Sequence, residues 1–256
     1  MLKPKQVLIY LAIKFAGDWD LIYQAIIRKE MFNAKEVEEA VNSLKCKVAT
    51  IFDKEYPQIL RTIYKPPFVL FYYGDISLIN DFKKCLGVVG SREPTSYGLK
   101  ITEKLVSEVS PELIIVSGLA LGIDAAAHRA AINSYGKTVA VLGGGIDYVY
   151  PKENLDLFQE IKENHLLLSE IPGKEFRKSD SFAFRNRIIT GLSKCLLVTD
   201  CKPRSGTNVS VNFALSQDRD VLVVPYRADE NSECNRIIKQ GAALVESGED
   251  IMFFIK

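Results

Sequence analysis

The chain has 256 residues, 47% of them hydrophobic and 25% charged, which is typical of a globular protein with room for one large domain and a small one. Its formal net charge of +1 excludes a broadly basic protein that holds nucleic acid through its overall field, so a site for a polyanion has to be local. The odd number of cysteines and the shortness of every apolar run argue against a disulfide framework and against a membrane span, and we expect a cytoplasmic protein.

The first 46 residues carry apolar side chains at helical spacing and no convincing strand, which predicts a small helical domain over residues 1–46. The apolar run Val7–Ile13 is short and is broken by Lys14, so it is interpreted as the first helix rather than as a signal peptide. From about residue 48 the sequence predicts a turn, a helix and an extended aromatic strand. We expect the second domain to cover residues 47–256.

Beyond Cys85, short apolar runs alternate with longer amphipathic segments. The runs are CLGVV, LIIVS, TVAVL, HLLLS, CLLVT, DVLVVP and AALV. Continuous Val, Ile and Leu runs between helices are typical of parallel strands that are covered on both faces. The sequence therefore predicts an α/β fold with a doubly wound, mostly parallel sheet.

Glycines, hydroxyl groups and cations follow several of these runs directly. In open parallel sheets, ligands bind in the crevice outside the carboxyl ends of the strands. Glycine lets a backbone approach a phosphate, helix N-termini offer amide donors, and arginine adds forked, permanently charged donors. The candidate site residues at this edge are Gly90, Ser91, Arg92, Ser117, Gly118, Gly122, Arg204, Ser205 and Gly206.

The stretch SFAFRNRIITGL places Arg185, Asn186 and Arg187 in an apolar segment just before the run CLLV. Burying two cations there costs several kcal/mol unless they face water or an anion. The surrounding segment from Lys174 to Arg204 contains eight Lys or Arg residues against three Asp or Glu residues. We therefore expect a preceding helix to direct this triplet into the same crevice, toward a phosphate chain.

Motifs for other chemistry are missing from the sequence. It has neither a GxGxxG fingerprint of dinucleotide binding nor the GxxxxGK[ST] loop of P-loop ATPases, and its cysteines and histidines are not spaced for zinc. The GxSxG motif is absent, so no nucleophile is visible and we expect neither an enzyme nor a cofactor. Asp124 and His128 are four residues apart in a predicted helix, where we expect a structural hydrogen bond between them rather than a catalytic dyad.

Eight motifs occur in one order between about residues 53 and 250: VVGSREPTSYG, IIVSGLALGIDAAAH, GKTVAVLGGGIDYVYPKEN, LLLSEIPG, FRNRIITGLSKCLLVTD, RSGTN, VLVVP and IIKQGAALV. With these motifs the chain resembles the bacterial DNA-processing protein A family (DprA/Smf). The resemblance implies an extended Rossmann-like domain that binds single-stranded DNA without catalysis, forms a homodimer and delivers the strand to the RecA recombinase in natural transformation. It also implies that Arg92, Arg185, Arg187 and Arg204 face DNA.

Two alternatives remain beside this interpretation. One is an enzyme on nucleotides, such as a phosphoribohydrolase of a related Rossmann-like group, although such enzymes carry a PGGxGT loop followed by a glutamate and this chain has LGGGID and RSGTNVS. The other is an adaptor that only dimerises and docks partners. The aromatic residues Phe182, Phe184 and Tyr148 could stack on bases, but core packing is the stronger expectation for the two phenylalanines. Tyr226 occupies a position where the family usually has glycine, which predicts a different loop beside the crevice.

Overall fold

A computed structural model of the chain describes residues 2–175, 180–203, 205–230 and 232–255. The helices are α1 (Pro4–Lys14), α2 (Trp19–Ile27), α3 (Ala34–Asn42), α4 (Ser96–Val109), α5 (Ile123–Asn133), α6 (Leu155–Asn164), α7 (Asp180–Leu192), α8 (Thr207–Ser216), α9 (Cys234–Lys239) and α10 (Gly248–Ile255). The strands are β1 (Lys47–Thr50), β2 (Val69–Gly74), β3 (Cys85–Val89), β4 (Ile114–Ser117), β5 (Lys137–Val141), β6 (Leu166–Ser169), β7 (Cys195–Val198), β8 (Asp220–Val223) and β9 (Ala243–Leu244).

Within the described residues the strands form one sheet in the order β1-β2-β6-β5-β4-β3-β7-β8-β9. Strands β3 to β9 run parallel to one another, whereas β2 pairs antiparallel with both β6 and β1. Each of the seven apolar runs beyond residue 84 forms one of the strands β3 to β9. The predicted α/β class with a doubly wound, mostly parallel sheet is confirmed.

Helices cover both faces of the sheet, which explains why its strands are apolar throughout. Every residue of β3, β6 and β7 is buried. On one face, Leu86 and Val88 of β3 pack in a cluster with apolar residues of α4, α5 and α10. On the other, Cys85 and Val89 of the same strand pack in a cluster with residues of α7, α8 and α9. The alternation of side chains along a strand therefore delivers apolar groups to both layers.

Three helices form the N-terminal unit, as the helical spacing predicted. Helix α1 begins with Pro4 in its first turn, and the Asp18 side chain caps α2 by accepting the amide hydrogens of Asp20 and Leu21. Apolar residues of α1 and α2 pack in a cluster that also contains Phe71 of β2 and Leu167 of β6. None of the described helices is long and apolar enough to cross a bilayer.

The chain order changes direction between β3 and β7. From β3 the chain progresses through β4 and β5 to β6 on one side, and it then returns to place β7, β8 and β9 on the other side. Connections that leave two adjacent parallel strands in opposite directions open a crevice at their carboxyl ends. The fold therefore places its ligand crevice between the segments that follow Val89 and Val198.

The predicted hydrogen bond between Asp124 and His128 is wrong. Nδ1 of His128 lies 2.6 Å from Oγ1 of Thr138, and the Thr138 hydroxyl donates to the carbonyl of Ile115 at 2.8 Å. Because Thr138 has already given its hydrogen to Ile115, Nδ1 must carry the proton of the neutral imidazole. The Asp124 carboxylate instead accepts the amide hydrogen of Gly118 at 3.1 Å. Burial lowers the pKa of His128 to about 3.

A buried neutral histidine makes stability depend on pH in a defined direction. The folded chain cannot protonate His128 until about pH 3, whereas an unfolded chain takes up that proton near the ordinary pKa of 6.5. Stability from this residue is therefore complete above pH 6.5 and is lost as the pH falls. Between pH 7 and pH 5 we expect about 2 kcal/mol of the free energy of unfolding to be lost through His128. Urea unfolding of the wild type and of His128→Gln at both pH values measures this loss, and an equal loss in the two chains would contradict it.

Candidate functional site

A crevice of about 390 Å³ lies at the carboxyl ends of β3 and β7, where the fold predicts it. The predicted site residues that line it are Gly90, Ser91, Arg92, Arg185, Asn186, Ser205 and Gly206. Four others, Ser117, Gly118, Gly122 and Arg187, do not line the crevice. Arg204 lies outside the described residues, so its position in the crevice stays a prediction.

The segment after β3 is held in place by Asp200, the second residue after β7. The amide of Ser91 donates to the Asp200 carbonyl at 3.0 Å, and the amide of Thr95 donates to the Asp200 carboxylate at 2.9 Å. The hydroxyl of Tyr226 donates to the same carboxylate at 2.8 Å. Because the backbone on both sides of Arg92 is fixed, its exposed side chain projects from a defined position at the mouth of the crevice.

Three backbone amides of the segment Ser117–Asp124 donate within the protein and hold the loops together. The amides of Gly118 and Ala120 donate to the Asp124 carboxylate, and the amide of Ile123 donates to the carbonyl of Ser91. Gly122 has a φ of +77°, and a Cβ there would lie 2.3 Å from the Ser91 oxygen. This corrects the expectation that Gly118 and Gly122 approach a phosphate, because the Gly118 amide donates to a protein carboxylate and a neighbouring loop packs against Gly122.

Ser117 is also internal. Its side chain is fully buried, and its hydroxyl donates to the carbonyl of Val88 on the adjacent strand at 2.7 Å. A hydroxyl in this position satisfies a backbone group at the end of β3 and stabilises the sheet edge on which the crevice is built.

Arg185 forms part of the crevice floor, although only 5% of the residue is exposed. Its guanidinium donates to the carbonyls of Gly118 and Val141 and to the side-chain oxygen of Asn186. Burial lowers the pKa of Arg185 to about 10, against the opposing effect of Asp124, so the group remains charged at neutral pH. Burial likewise raises the pKa of Asp124, against the charge of Arg185. Both groups are buried beneath the crevice, where burial disfavours the charged form of each and the charge of the other favours it.

Arg187 points away from the crevice, which corrects the expectation that the whole triplet converges there. Its side chain is fully buried, and its two terminal nitrogens each lie 2.6 Å from an oxygen of the Glu170 carboxylate. It also donates to the carbonyl of Lys65 and lies 3.8 Å from the ring centroid of Phe184. Successive helical residues rotate by about 100°, so positions 185 and 187 point to nearly opposite sides of α7. The anion that Arg187 meets is part of the protein.

Two polar groups in the crevice wall were not among the predicted site residues. Lys202 belongs to the basic stretch that was counted in the sequence, and its ammonium pairs with Glu93 at 3.2 Å on the surface. The Thr207 hydroxyl is buried beside the Cys201 thiol, which is a weak hydrogen-bonding partner. Helix α8 begins at this threonine, without a side-chain cap on its first turn. No sequence pattern distinguishes such a weakly paired hydroxyl.

Among the described residues, the crevice therefore combines three cationic side chains with the N-terminus of a helix. Arg92, Arg185 and Lys202 outnumber the carboxylates of Glu93 and Asp124, and burial favours the neutral form of Asp124. Backbone amides at a helix N-terminus attract negative charge as well. In the part of the chain that the structure describes, no cluster of His, Cys, Asp or Glu could hold a metal ion. This arrangement suits the binding of an anion.

Known proteins are similar to this chain over most of its length. The family model of DNA recombination-mediator protein A matches residues 47–256. A DNA processing protein DprA from Bacillus subtilis is 39% identical over 217 residues, which cover 84% of this chain and 71% of the relative. Another, from Streptococcus pneumoniae, is 43% identical over 206 residues, which cover 79% of this chain and 72% of the relative.

Solved structures agree with the fold over most of its length. The X-ray structure of DNA processing protein A from Streptococcus pneumoniae superposes with a TM-score of 0.79 at 35% identity, covering 98% of this chain and 93% of that one. A DNA processing protein A from Helicobacter pylori, described for its unique single-stranded DNA binding mode, superposes with a TM-score of 0.73 at 27% identity. That match covers 82% of this chain and 95% of the other.

Replacing Glu170 with alanine tests the structural role of Arg187. The variant leaves a fully buried guanidinium without its carboxylate, so we expect the free energy of unfolding to fall by about 3 to 5 kcal/mol in urea denaturation. The matched control is Asp20→Ala, which breaks an ion pair of equal length with Lys65 whose carboxylate is 68% exposed. Exposed pairs contribute about 1 kcal/mol or less. Equal losses in the two variants would contradict the assignment.

Proposed function

Because the chain belongs to the DNA recombination-mediator protein A family, we propose that it binds single-stranded DNA in the crevice between β3 and β7. The observation that carries the proposal is the meeting of exposed and buried cations with the N-terminus of α8 at the switch point of the sheet. Phosphate groups are the anions that such a site matches best, and cations after both β3 and β7 can each bind one phosphate of a chain.

Each group of the crevice has a proposed task. Arg92 offers two parallel donors to a phosphate from the mouth of the crevice. Lys202 exchanges its surface partner Glu93 for a second phosphate. The N-terminus of α8, with Ser205, Gly206 and the weakly paired hydroxyl of Thr207, binds a third phosphate. Arg204 belongs to this set by its place in the sequence. Arg185 and Arg187 act from inside the protein, by fixing the loops and α7.

The size of the crevice favours a single strand. A volume of about 390 Å³ is within the range of pockets that enclose one small ligand, which corresponds to a nucleotide and not to a double helix. The Arg92 guanidinium lies 6.0 Å from the ring centroid of Phe182, so a base entering the crevice meets an aromatic ring beside a cation. Stacking of this kind is worth roughly 1 to 3 kcal/mol per base and accepts every base. We therefore expect low sequence specificity.

On the same family membership we propose a non-catalytic role in recombination. The chain would act as a homodimer in the cytoplasm, protect incoming single strands and deliver them to the RecA recombinase during natural transformation. The crevice chemistry supports a role without catalysis, because its buried carboxylate, Asp124, is occupied by the amides of Gly118 and Ala120. A phosphoribohydrolase would instead need a carboxylate directed at its substrate. Release of free base from nucleoside monophosphates would favour that enzyme.

The replacement Arg92→Ala tests the electrostatic part of the proposal. We expect affinity for a labelled oligothymidine to fall about tenfold, and the slope of log affinity against log salt to become shallower by about 0.7, because one phosphate contact is lost. Fluorescence anisotropy between about 50 and 200 mM salt measures both quantities. A mixed-sequence oligonucleotide should lose the same factor, since a phosphate contact carries no sequence information.

The matched control is Lys137→Ala. This exposed residue begins β5 at the opposite edge of the sheet, so its replacement removes one positive charge far from the crevice. We expect its affinity and its salt slope to stay near those of the wild type. Equal weakening by both replacements would assign binding to the overall charge and reject the crevice as the site.

A further inference from the structure

A second, smaller cavity adjoins the crevice and shares Arg92 with it as a lining residue. Its volume is about 70 Å³, and its walls include Leu121, Tyr150, Pro151 and Phe182. Arg92, Arg185 and Phe182 line both cavities. A ligand that occupies the crevice can therefore continue past Arg92 into the second cavity without leaving the cationic groups.

The wall of this cavity presents an aromatic ring to the surface. Tyr150 is 47% exposed although it is a large aromatic residue, and the neighbouring Leu121 is 40% exposed. The Tyr150 ring centroid lies 5.2 Å from that of Phe182, and it lies 6.1 Å from that of Tyr148 with an angle of 12° between the planes. Contacts with two neighbouring rings restrain the Tyr150 ring while part of its surface remains open to solvent.

These features together select the chemistry of the ligand. Exposed apolar and aromatic surface favours a flat apolar group, and guanidinium groups at its edge favour an anion attached to that group. A nucleotide has both parts, whereas an inorganic anion leaves the ring unused and an apolar peptide leaves the cations unused. A cavity of about 70 Å³ is far smaller than pockets that enclose a ligand, which begin at roughly 300 Å³. The flat group therefore lies on the ring and is not enclosed.

We propose that Tyr150 is the stacking platform of a second nucleotide subsite. A strand whose phosphate is bound by Arg92 at the mouth of the crevice places the next base on the Tyr150 ring, between Leu121 and Phe182. This inference rests on the proposed function and extends it, because it assigns a path to the strand, from the N-terminus of α8 past Arg92 to Tyr150. The tyrosine hydroxyl has no part in the contact.

The test compares Tyr150→Leu with Tyr150→Phe. Affinity for an oligothymidine should fall about tenfold in Tyr150→Leu, which loses the aromatic face, and should stay near wild type in Tyr150→Phe, which keeps it. The control is Tyr23→Leu, since Tyr23 is 42% exposed and also stacks on a neighbouring ring, that of Trp19, in the N-terminal unit. We expect that control to bind like the wild type.

Two further readouts separate stacking from a displaced Arg92. The salt slope of Tyr150→Leu should equal that of the wild type, because no phosphate contact is lost. An oligothymidine with one 2-aminopurine should show quenched fluorescence on wild-type protein and on Tyr150→Phe, and less quenching on Tyr150→Leu, because stacking quenches this base analogue.

Each result has a defined meaning. Wild-type affinity in Tyr150→Leu, or a shallower salt slope in that variant, would overturn the subsite while leaving DNA binding in the crevice intact. Failure of the wild-type protein itself to bind the oligothymidine would overturn the proposed function, and the subsite with it. Loss of affinity in Tyr150→Leu at an unchanged salt slope, with affinity retained in Tyr150→Phe, would support the inference.

Discussion

The desolvation of two guanidinium groups on α7 is the constraint around which the site is organised. A buried cation is tolerated only where carbonyls and carboxylates replace its water, and Arg185 and Arg187 meet this requirement with different partners. Arg185 is held by the carbonyls of Gly118 and Val141, and Arg187 by Glu170 and the carbonyl of Lys65. Because the two side chains point to nearly opposite sides, α7 ties the segment after β4 to one side of itself and the segment before β2 to the other.

This arrangement divides the cations of the site into two kinds. Buried guanidinium groups cannot move to meet a flexible polyanion, so they fix the loops that carry the exposed ones. Arg92 and Lys202 are exposed at the mouth of the crevice, on segments that Asp200 joins through the amides of Ser91 and Thr95. Such loops place a binding group before the ligand arrives, which reduces the entropy that binding costs. The Tyr226 hydroxyl also donates to the Asp200 carboxylate. The tyrosine that stands where a glycine is usual in the family therefore helps to hold these segments together.

Sequence patterns predicted the architecture because the architecture depends on periodicity. Continuous apolar runs identified the strands β3 to β9, and the glycines and cations after them identified the edge at which the crevice lies. The same patterns could not predict side-chain partners that are distant in sequence. The amides of Gly118 and Ala120 take the carboxylate of Asp124, which leaves His128 to pair with Thr138. Likewise, the close approach of Gly122 to the Ser91 carbonyl depends on how two loops pack, and this packing cannot be predicted from residue spacing within one motif.

Hydrogen exchange followed by mass spectrometry, with and without a bound oligothymidine, tests the central claim most directly. The claim is that exposed cations and a helix N-terminus, on loops fixed by the buried arginines of α7, form one polyanion crevice at the switch point of the sheet. We expect the oligonucleotide to slow exchange in peptides that contain residues 90–95 and 205–210, and to leave peptides at the start of β5 unchanged. Protection confined to α1, α2 and α3 or to the opposite edge of the sheet, with the crevice peptides unchanged, would contradict the account.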